Sequence, residues 1–378
     1  MTKQQFKSSL LRLPQWPGAP MALASAVLFG ASTPLAKLLL GDGMSPWLLA
    51  GLLYLGSGIG LATVQFLRRL WSSPQTEAPL RRADLPWLGL VVLSGGVAGP
   101  VLLMLGLART PAASASLLLN LEGLATMTIA WTVFGENVDR RILAGAAAIL
   151  AGAVLLSWPG AWSGAGWGTV LIAGACLAWG VDNNITRKLS SADPVQIATV
   201  KGLVAGSVNL ALARVGGAHL PSMGAIFGAA SLGFLAYGVS LVLFVFALRH
   251  LGSARTGAYF STAPFIGALL SVFVLSERPS IRLGAAAVLM GIGLYLHLVE
   301  RHSHEHVHDA IEHEHRHRHD AHHQHHHGPE DPIGEPHSHR HRHAPLVHSH
   351  PHFPDLHHRH GHRYCKLKNQ LKLHQSQA

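Results

Sequence analysis

Charged residues are scarce in this chain. Asp, Glu, Lys and Arg make up 13% of its 378 residues, whereas a soluble domain usually carries about 25%. Cysteine is almost absent as well, and the two that are present, Cys176 and Cys365, cannot build a disulfide framework. The composition therefore excludes both an ordinary water-soluble domain and a fold held together by disulfides.

Catalytic and nucleic-acid-binding patterns are also missing. The sequence contains no nucleophile–base set and no glycine-rich phosphate loop, so it gives no support to an enzyme and no catalytic residue is assigned. The formal net charge of +10 is not a nucleic-acid signal, because no basic face with interleaved aromatic residues is present. Most of this charge lies in residues 1–300, where basic residues report membrane topology and contact with anionic lipid.

Apolar segments are what the chain has in abundance. About 20 apolar residues cross the hydrocarbon core of a bilayer as a helix, and short loops with Pro or Gly separate the segments that qualify. The first run continues to Leu40 without a signal-peptide cleavage site, which predicts a retained helix. We predict an all-α integral membrane protein with ten transmembrane helices, at 19–40, 46–67, 86–107, 112–134, 142–158, 166–188, 194–214, 224–248, 253–275 and 281–299.

The ten segments form two similar halves. Each half has five helices, and because five is odd the halves must insert in opposite orientations, which is the inverted-repeat architecture of secondary transporters. We predict the first five-helix repeat at 19–158 and the second at 166–299. Three ordered matches carry the repeat: 28–30 with 178–180, 134–136 with 275–277, and 145–152 with 284–291.

Small residues dominate the fifth and tenth segments. Gly145 and Gly152 are seven residues apart, and so are Gly284 and Gly291, which places each pair on one face of its helix. Glycine faces permit close backbone approach between membrane helices. We expect these faces to serve packing and not chemistry.

Loop charges predict the orientation. Thirteen Lys and Arg residues lie near helix ends on the side that carries both termini, and five lie on the other side. The richer side is expected to be cytoplasmic, which places the N-terminus, residues 1–18, and the tail, residues 301–378, in the cytoplasm. We expect a multi-pass protein of a bacterial inner membrane that has a small-molecule or ion substrate. Whether it forms a homodimer stays open.

Several short motifs stand out in the two halves. They are Phe29-Gly30, Trp179-Gly180, Asp193-Pro194, Leu121-Glu122-Gly123 ending at Phe134-Gly135-Glu136, and Ala263-Pro264-Phe265 ending at Ser276-Glu277. With these motifs, about residues 19–299 resemble the drug/metabolite transporter superfamily, EamA type. The resemblance implies a ten-helix bundle, a central site lined mainly by helices 1–4 and 6–9, and export or exchange of small solutes, without fixing a substrate. The sequence departs from the family at Gly123, where a proline often stands, and at the unusually polar 182–184.

One carboxylate lies near the middle of the predicted membrane. Glu122 is about ten residues into the fourth segment, or roughly 15 Å deep at 1.5 Å per residue. A carboxylate there is costly unless it is paired or protonated. It is predicted either to couple transport to protons or bind a cation, or to be a neutral carboxyl that bonds to a neighbouring helix.

A second polar group is expected in the first and sixth segments. Pro34 frees a backbone carbonyl beside Ser32 and Thr33, while Asp182, Asn183 and Asn184 offer competing side-chain hydrogen bonds. Loosened helices that face each other are where transporters bind solutes. The alternative is that 182–184 caps a frayed helix end.

Lys201 has two possible placements in the seventh segment. It could extend back to the cytoplasmic face, or it could pair with Asp182 or Glu122. A pair that a substrate or proton breaks would suit an anionic or zwitterionic solute.

The tail, residues 301–378, holds 25 of the 28 histidines. Apolar residues are sparse there and prolines frequent, so disorder is predicted. Neutral imidazoles at this density bind Ni²⁺, Co²⁺, Zn²⁺ or Cu²⁺, although incidental binding or a role in protonation near pH 6.5 is also possible. The predicted metal ligands are His302, His304, His306, His308, His313, His315, His317, His319, His322, His323, His325, His326, His327, His337, His339, His341 and His343.

Three functions remain open from the sequence. The first is a proton-coupled exporter of a small organic solute that requires no cofactor and has a metal-binding tail. The second is an exporter of Ni²⁺, Co²⁺ or Zn²⁺ whose tail collects or senses the cation, although no apolar helix offers a His/Asp pair at i,i+4. The third is a metal-buffering or sensing membrane protein without transport, against which the inverted repeat argues.

Overall fold

Helices make up the bundle, as the apolar pattern predicts. The structure is a computed structural model that describes residues 18–70, 80–134, 140–157, 166–189, 192–298, 303–308, 312–317, 337–342 and 346–351. Within these residues, seven helical stretches are long and apolar enough to cross a membrane, and two shorter apolar helices follow at Ala263–Val274 and Ile281–His297. The all-helical membrane fold is confirmed.

The helices are numbered α1 to α10 to match the ten segments. Four of them are interrupted: α3 and α8 by a π-helical turn, and α4 and α9 by a break. The bounds of the first seven are α1 Gly18–Gly41, α2 Pro46–Leu70, α3 Leu85–Val91 and Gly99–Leu107 around the π turn Val92–Ala98, α4a Ala112–Leu118, α4b Leu121–Phe134, α5 Arg140–Ser157, α6 Trp167–Leu189 and α7 Pro194–Val215. Helix α8 begins with Met223–Gly233 and the π turn Phe234–Val239, and the helix Ser240–Phe260 carries the end of α8 and the start of α9. The second part of α9, named α9b, is Ala263–Val274, and α10 is Ile281–Leu298.

The backbone is helical throughout Ser240–Phe260, although the sequence predicts two segments there. The ring positions show that the chain nevertheless reverses direction in this stretch. The centroids of the Phe244 and Phe260 rings lie only 4.9 Å apart. Sixteen residues of straight α-helix would separate them by about 24 Å. Two antiparallel helices therefore meet in this stretch without an intervening loop, in agreement with the segments predicted at 224–248 and 253–275.

Helix packing follows a pseudo-two-fold pattern. The first helix of each repeat makes equivalent contacts. Helix α1 packs against α9b and against Ser240–Phe260, and helix α6 packs against α4b and α3. The helices α2 and α7 pack on each other, as do α5 and α10. Exchanging the two repeats converts the contacts of α1 into those of α6. The same exchange converts the pair α2–α7 into itself and the pair α5–α10 into itself. The inverted-repeat prediction is thereby confirmed in the packing.

Glycines allow the backbones to touch at these crossings. A Cβ atom on Gly202 of α7 would lie 2.7 Å from the Cα atom of Gly58 in α2, and one on Gly293 of α10 would lie 2.6 Å from the carbonyl oxygen of Gly145 in α5. The prediction for α10 was wrong in its residues, because no atom of the described residues outside its own helix backbone lies within 4 Å of a Cβ on Gly284. The close approach is at Gly293, in the second half of α10.

Glycine at position 233 should be indispensable for packing. A methyl group there would overlap the carbonyl oxygen of Leu53 in α2, whereas one on Gly228, in the same helix, would meet nothing within 4 Å in the part of the chain that the structure describes. We expect Gly233→Ala to destabilise the protein by about 3 kcal/mol, the upper end for overpacking, because the obstacle is backbone. Thermal unfolding in detergent measures this; Gly228→Ala is the matched control, and equal melting temperatures would contradict the packing argument.

Four segments of the tail are extended. They form strands β1 Ser303–His308, β2 Glu312–His317, β3 His337–Arg342 and β4 Leu346–Pro351. Two antiparallel pairs result, β1 with β4 and β2 with β3. An alternating sequence suits the two-residue period of a strand, which explains pairing without an apolar core.

Candidate functional site

Two helix breaks lie at equivalent positions of the repeats. The first separates α4a from α4b at residues 119–120, and the second separates Phe260 from Ala263. Pro264 has no N–H group, so the helix that ends at Phe260 cannot continue through it. In the first, the side chain of Asn120 donates to the carbonyl of Leu117 at 2.8 Å and so competes with the backbone ladder. Interrupted helices of this kind place backbone polar groups and helix ends inside a transporter.

The π turns of α3 and α8 supply further polar groups. The carbonyl of Gly95 accepts hydrogen bonds from the Tyr54 hydroxyl at 2.7 Å and from the indole N–H of Trp179 at 3.0 Å. The next carbonyl, that of Gly96, accepts from the side chain of Asn209 at 3.0 Å. A π turn releases carbonyls from the regular ladder, and here they join α2, α6 and α7 to α3.

Lys201 pairs with Asp182. The ammonium of Lys201 donates to Oδ2 of the carboxylate, and the hydroxyl of Thr186 donates to Oδ1 at 3.0 Å. The Asp182 side chain is 7% exposed and that of Lys201 19% exposed. Of the two placements that the sequence allows for Lys201, the structure has the ion pair. The carboxylate also packs on Gly95, where a Cβ would overlap it.

Glu122 lies in the first turn of α4b. Its Oε1 atom accepts a hydrogen bond from the side-chain amide of Asn183 at 3.0 Å, and the same amide donates to Thr126 at 3.2 Å. Asp182 and Lys201 are near enough to interact with Glu122 electrostatically. The structure thus brings Glu122, Asn183, Asp182 and Lys201 into one polar cluster between α4b, α6 and α7.

Asn184 has a different role from its neighbours. Its amide donates to the carbonyl of Thr126 at 3.0 Å and to that of Gly180 at 2.8 Å. The bond to Thr126 fastens α6 to α4b, whereas the bond to Gly180 lies within α6, and α6 is continuous through 182–184. The expected fraying or loosening of α6 is therefore wrong, because Asn183 and Asn184 bond to α4b, and Asp182 to Lys201, without replacing the backbone ladder.

The helix α1 is also continuous through Pro34. Ser32 and Thr33 are buried, and the Ser32 hydroxyl donates to the carbonyl of Phe29 at 2.6 Å. The freed carbonyl of Gly30 faces Gly267 of α9b. The proline is thus accommodated by close packing on α9b, and the interruptions predicted for α1 and α6 are found in α4 and α9.

Aromatic side chains lie beside the cluster. The ring centroid of Tyr237, in the π turn of α8, lies 5.8 Å from that of Phe29 and 5.6 Å from that of Tyr54. Glu122 is within electrostatic range of both tyrosines. Sequence reasoning missed these tyrosines; their signal is a hydroxyl in an otherwise apolar segment. We use the name central site for Tyr54, Glu122, Asp182, Asn183, Lys201 and Tyr237.

The predicted metal ligands all belong to the tail. Among the described residues, no three His, Cys, Asp or Glu side chains come together as a metal site. His302, His319, His322, His323, His325, His326, His327 and His343 lie outside the described residues. The backbone places the others on the strands: His304, His306 and His308 on β1, His313, His315 and His317 on β2, and His337, His339 and His341 on β3.

The fold and central site define a multi-pass membrane transporter built from two inverted repeats. The sequence matches the EamA-like transporter family over residues 16–158 and again over 166–299. The chain belongs to this family, within the drug/metabolite transporter superfamily, and the resemblance found in the sequence is confirmed.

Known relatives agree with this assignment. The chain is 28% identical over 289 residues to an uncharacterized transporter of Methanothermobacter thermautotrophicus, covering 72% of this chain and 84% of that protein. It is 25% identical over 261 residues to the uncharacterized inner membrane transporter YedA of Escherichia coli K12, covering 66% and 83%. A solved crystal structure shares the fold with a TM-score of 0.56 at 21% identity, covering 74% of this chain and 95% of that one.

Proposed function

We propose that the protein is a proton-coupled exporter of a small organic solute that carries a cationic nitrogen, alone or as part of a zwitterion. Glu122 binds the proton or the solute in turn. Both termini face the cytoplasm, and the bacterial inner membrane is the proposed location, by analogy with the inner membrane relative.

The charge balance of the central site supports this proposal above all. Its charged side chains are two carboxylates, Glu122 and Asp182, and one ammonium, Lys201. Because Lys201 is paired with Asp182, Glu122 has an amide donor but no ionic partner within the described part of the chain. An uncompensated carboxylate in a membrane is costly. A proton or a cationic nitrogen neutralises it, and the two compete for the same oxygen atoms.

The walls of the site support an organic solute of modest size. Tyrosine faces attract cationic nitrogen through the ring quadrupole, and Tyr54 and Tyr237 lie within electrostatic range of Glu122. Asn183 and the peptide carbonyls of the π turn in α3 offer hydrogen bonds that fix orientation. A zwitterion would place its amine at Glu122 and its own carboxylate toward Lys201.

Export driven by protons follows from this competition. A proton that enters from the outside neutralises Glu122 and releases the solute there. The proton leaves to the cytoplasm, and the free carboxylate then binds the next solute molecule. Only one of the two ligands is carried in each direction, which is the condition for coupled exchange.

A solute panel tests the proposed substrate class. Purified protein in liposomes is given cationic, zwitterionic and anionic small solutes, and movement of protons is followed with an enclosed pH-sensitive dye. We expect proton movement with cationic or zwitterionic solutes only. Movement with anions alone would contradict the assignment of Glu122, and no movement with any solute would leave the chain without the proposed coupling.

We further propose that the tail binds divalent transition cations. The strand register supports this: His313 pairs with His341, His315 with His339, and His317 with His337. Residues two apart on a strand, and the residues opposite them, share a face of the ladder, so the register places the six histidine positions on one face. On the other face the register opposes Glu312 to Arg342 and Glu314 to Arg340, which favours the same alignment.

Removal of histidines from strand β2 should weaken metal binding more than removal of histidines from the residues between β2 and β3. We expect replacement of His313, His315 and His317 by Ala to weaken Ni²⁺ or Zn²⁺ binding about tenfold or more, because outer partners and ligands of a metal site typically contribute 10–100-fold. The matched control replaces three histidines between the strands, His322, His323 and His325. Titration calorimetry of the full chain measures both; equal effects would show a tail without ordered sites.

Metal flux separates this proposal from a metal exporter. Uptake of Ni²⁺, Co²⁺ and Zn²⁺ into inside-out vesicles is compared for the full chain, a chain ending at Glu300, and Glu122→Gln. We expect no cation flux in any of them. Flux that needs Glu122 and falls on truncation would establish a metal exporter fed by its tail instead.

A further inference from the structure

The two strand pairs of the tail share one register. We use the names outer ladder for β1 with β4 and inner ladder for β2 with β3. The outer ladder ends with His308 opposite Leu346, and the inner ladder begins with Glu312 opposite Arg342. Residues 309–311 separate the ladders on one arm and residues 343–345 on the other, which is the same number on both. The inner ladder therefore continues the register of the outer one without a slip, in the strand order of a single hairpin.

The histidines change phase at the same place on both arms. In the outer ladder they occupy even-numbered positions, with His304 opposite His350 and His306 opposite His348. In the inner ladder they occupy odd-numbered positions, and each again lies opposite a histidine. A phase change on one arm alone would place histidines opposite other residue types, because a strand repeats every two residues. The matched change is what a sequence adapted to this hairpin requires.

Backbone pairing alone does not account for a stable hairpin. A two-stranded ladder is marginal in water, and the 318–336 connection between β2 and β3 adds an entropic cost of closure. Within the described strands, Val307 with Val347 is the one opposite pair that is apolar on both sides. The two arms therefore need a further source of free energy to stay together.

Divalent cations bound between the arms supply that free energy. The register places four histidine positions of the outer ladder on one face, two on each strand: His304, His306, His348 and His350. Because Zn²⁺ takes up to four nitrogen or sulfur ligands, one cation can draw its imidazoles from both arms. A cation that binds the paired arms and not the separated ones stabilises the pairing, which couples metal binding to folding.

We propose that the outer ladder is a metal site of its own, separate from the inner ladder, and that a divalent cation bound there closes the tail into a hairpin. This inference rests on the proposed metal binding by the tail and extends it from binding to folding. The outer ladder begins at Ser303, shortly after α10 ends at Leu298, and Ser303 lies opposite Pro351. Closure thus returns the chain to the end of α10 and makes the tail a metal-responsive segment attached to the bundle.

The proximity of two fluorophores measures closure in the full chain. Pyrene is attached through Glu305→Cys and Ser349→Cys, which are opposite each other and alternate with the histidine positions. The background carries Cys176→Ala and Cys365→Ser. Zn²⁺ is the probe, since it has a filled d shell and no redox chemistry. We expect excimer emission to appear when Zn²⁺ is added in detergent and to disappear when a chelator removes it.

The register provides the matched control. Pyrenes attached through Glu305→Cys and Ser338→Cys use the same chemistry, but Ser338 lies opposite Arg316 in the inner ladder, so this pair should give no excimer with Zn²⁺. A chain labelled only at position 305 should give none either. An excimer in that chain would show pairing between two copies and would overturn closure within one chain.

Removal of outer histidines tests the site itself. His304→Ala with His306→Ala should raise the Zn²⁺ concentration for half-maximal excimer emission by about tenfold or more, because loss even of groups that only orient metal ligands typically costs about 10–100-fold in affinity. His357→Ala with His358→Ala removes two histidines that follow β4 in the sequence and should leave this concentration unchanged. Equal effects of the two double substitutions would overturn the outer ladder as a distinct site.

Calorimetry on the same samples separates this inference from the metal binding on which it rests. Zn²⁺ that binds without an excimer between positions 305 and 349, or with equal excimers in both label pairs, would overturn the hairpin and leave metal binding by the tail intact. No binding of Zn²⁺ in any form would overturn both.

Discussion

Glu122→Gln should abolish solute-driven proton movement. The substitution keeps an oxygen that can accept the hydrogen bond from Asn183 and removes only the charge. Without the carboxylate the site cannot bind a proton, and a cationic solute loses its ionic partner, which for a buried charge pair costs on the order of 2 kcal/mol or more, or about 30-fold in affinity. We expect dye signals in liposomes to fall to those of protein-free controls.

The control for this result is a carboxylate elsewhere in the chain. Asp42 is exposed in the turn after α1, so Asp42→Asn removes the same charge away from the central site and should leave proton movement intact. Solute-driven proton movement that persists in Glu122→Gln would falsify the coupling role of Glu122. Binding that persists without proton movement would show that the charge couples transport but does not hold the solute.

Lys201→Met should be the most destabilising single substitution in the central site. It leaves Asp182 buried beside Gly95 with no counter-charge and with Glu122 nearby, and removing one partner of a buried pair typically costs about 3–5 kcal/mol. Replacing both partners, in Lys201→Met with Asp182→Asn, should recover most of this loss, because no unpaired charge remains. The measurement is thermal unfolding of the purified variants in detergent.

The unaltered protein, the two single variants and the double variant form a double-mutant cycle. Arg214→Met is the control on the same helix, since Arg214 is exposed at the end of α7 and should change the free energy of unfolding by less than about 0.5 kcal/mol. Additive losses in the double variant would mean that Lys201 and Asp182 act independently. That result would also remove the argument that Glu122 is the unpaired carboxylate of the site.

Much of the architecture follows from the sequence because it depends on local composition. Long apolar runs specify the helices, and an odd number of helices in each repeat specifies their inverted insertion. The cluster of Glu122, Asn183 and Asp182 could also be anticipated, since polar groups in an apolar helix must find partners. The placement of Lys201 could not be anticipated, because the bilayer surface and Asp182 both satisfy its charge. Only the position of α6 relative to α7 decides which of the two the ammonium contacts.

The interruptions in the helices depend on tertiary contacts and escaped sequence reasoning. Pro34 suggested a broken α1, but packing of Gly30 against Gly267 accommodates it. The π turn of α3 is stabilised by donors from other helices, Tyr54 and Trp179, which no local pattern reveals. Similarly, Gly293 and not Gly284 contacts α5 within the described residues, because the position of α10 along α5 decides which of several glycines is used.

The crossing of α2 and α7 has a particular consequence for motion. Its two helices are exchanged by the pseudo-two-fold relation, so the pairing of α2 with α7 is its own image, whereas the contact of α4a with α9b has a separate image at the other end. When the repeats trade conformations, contacts of the second kind are broken and remade, but a self-related pairing can persist. At Gly58 and Gly202 backbone touches backbone, which allows the helices to roll there. The glycines thus provide a fulcrum for the two halves of the molecule.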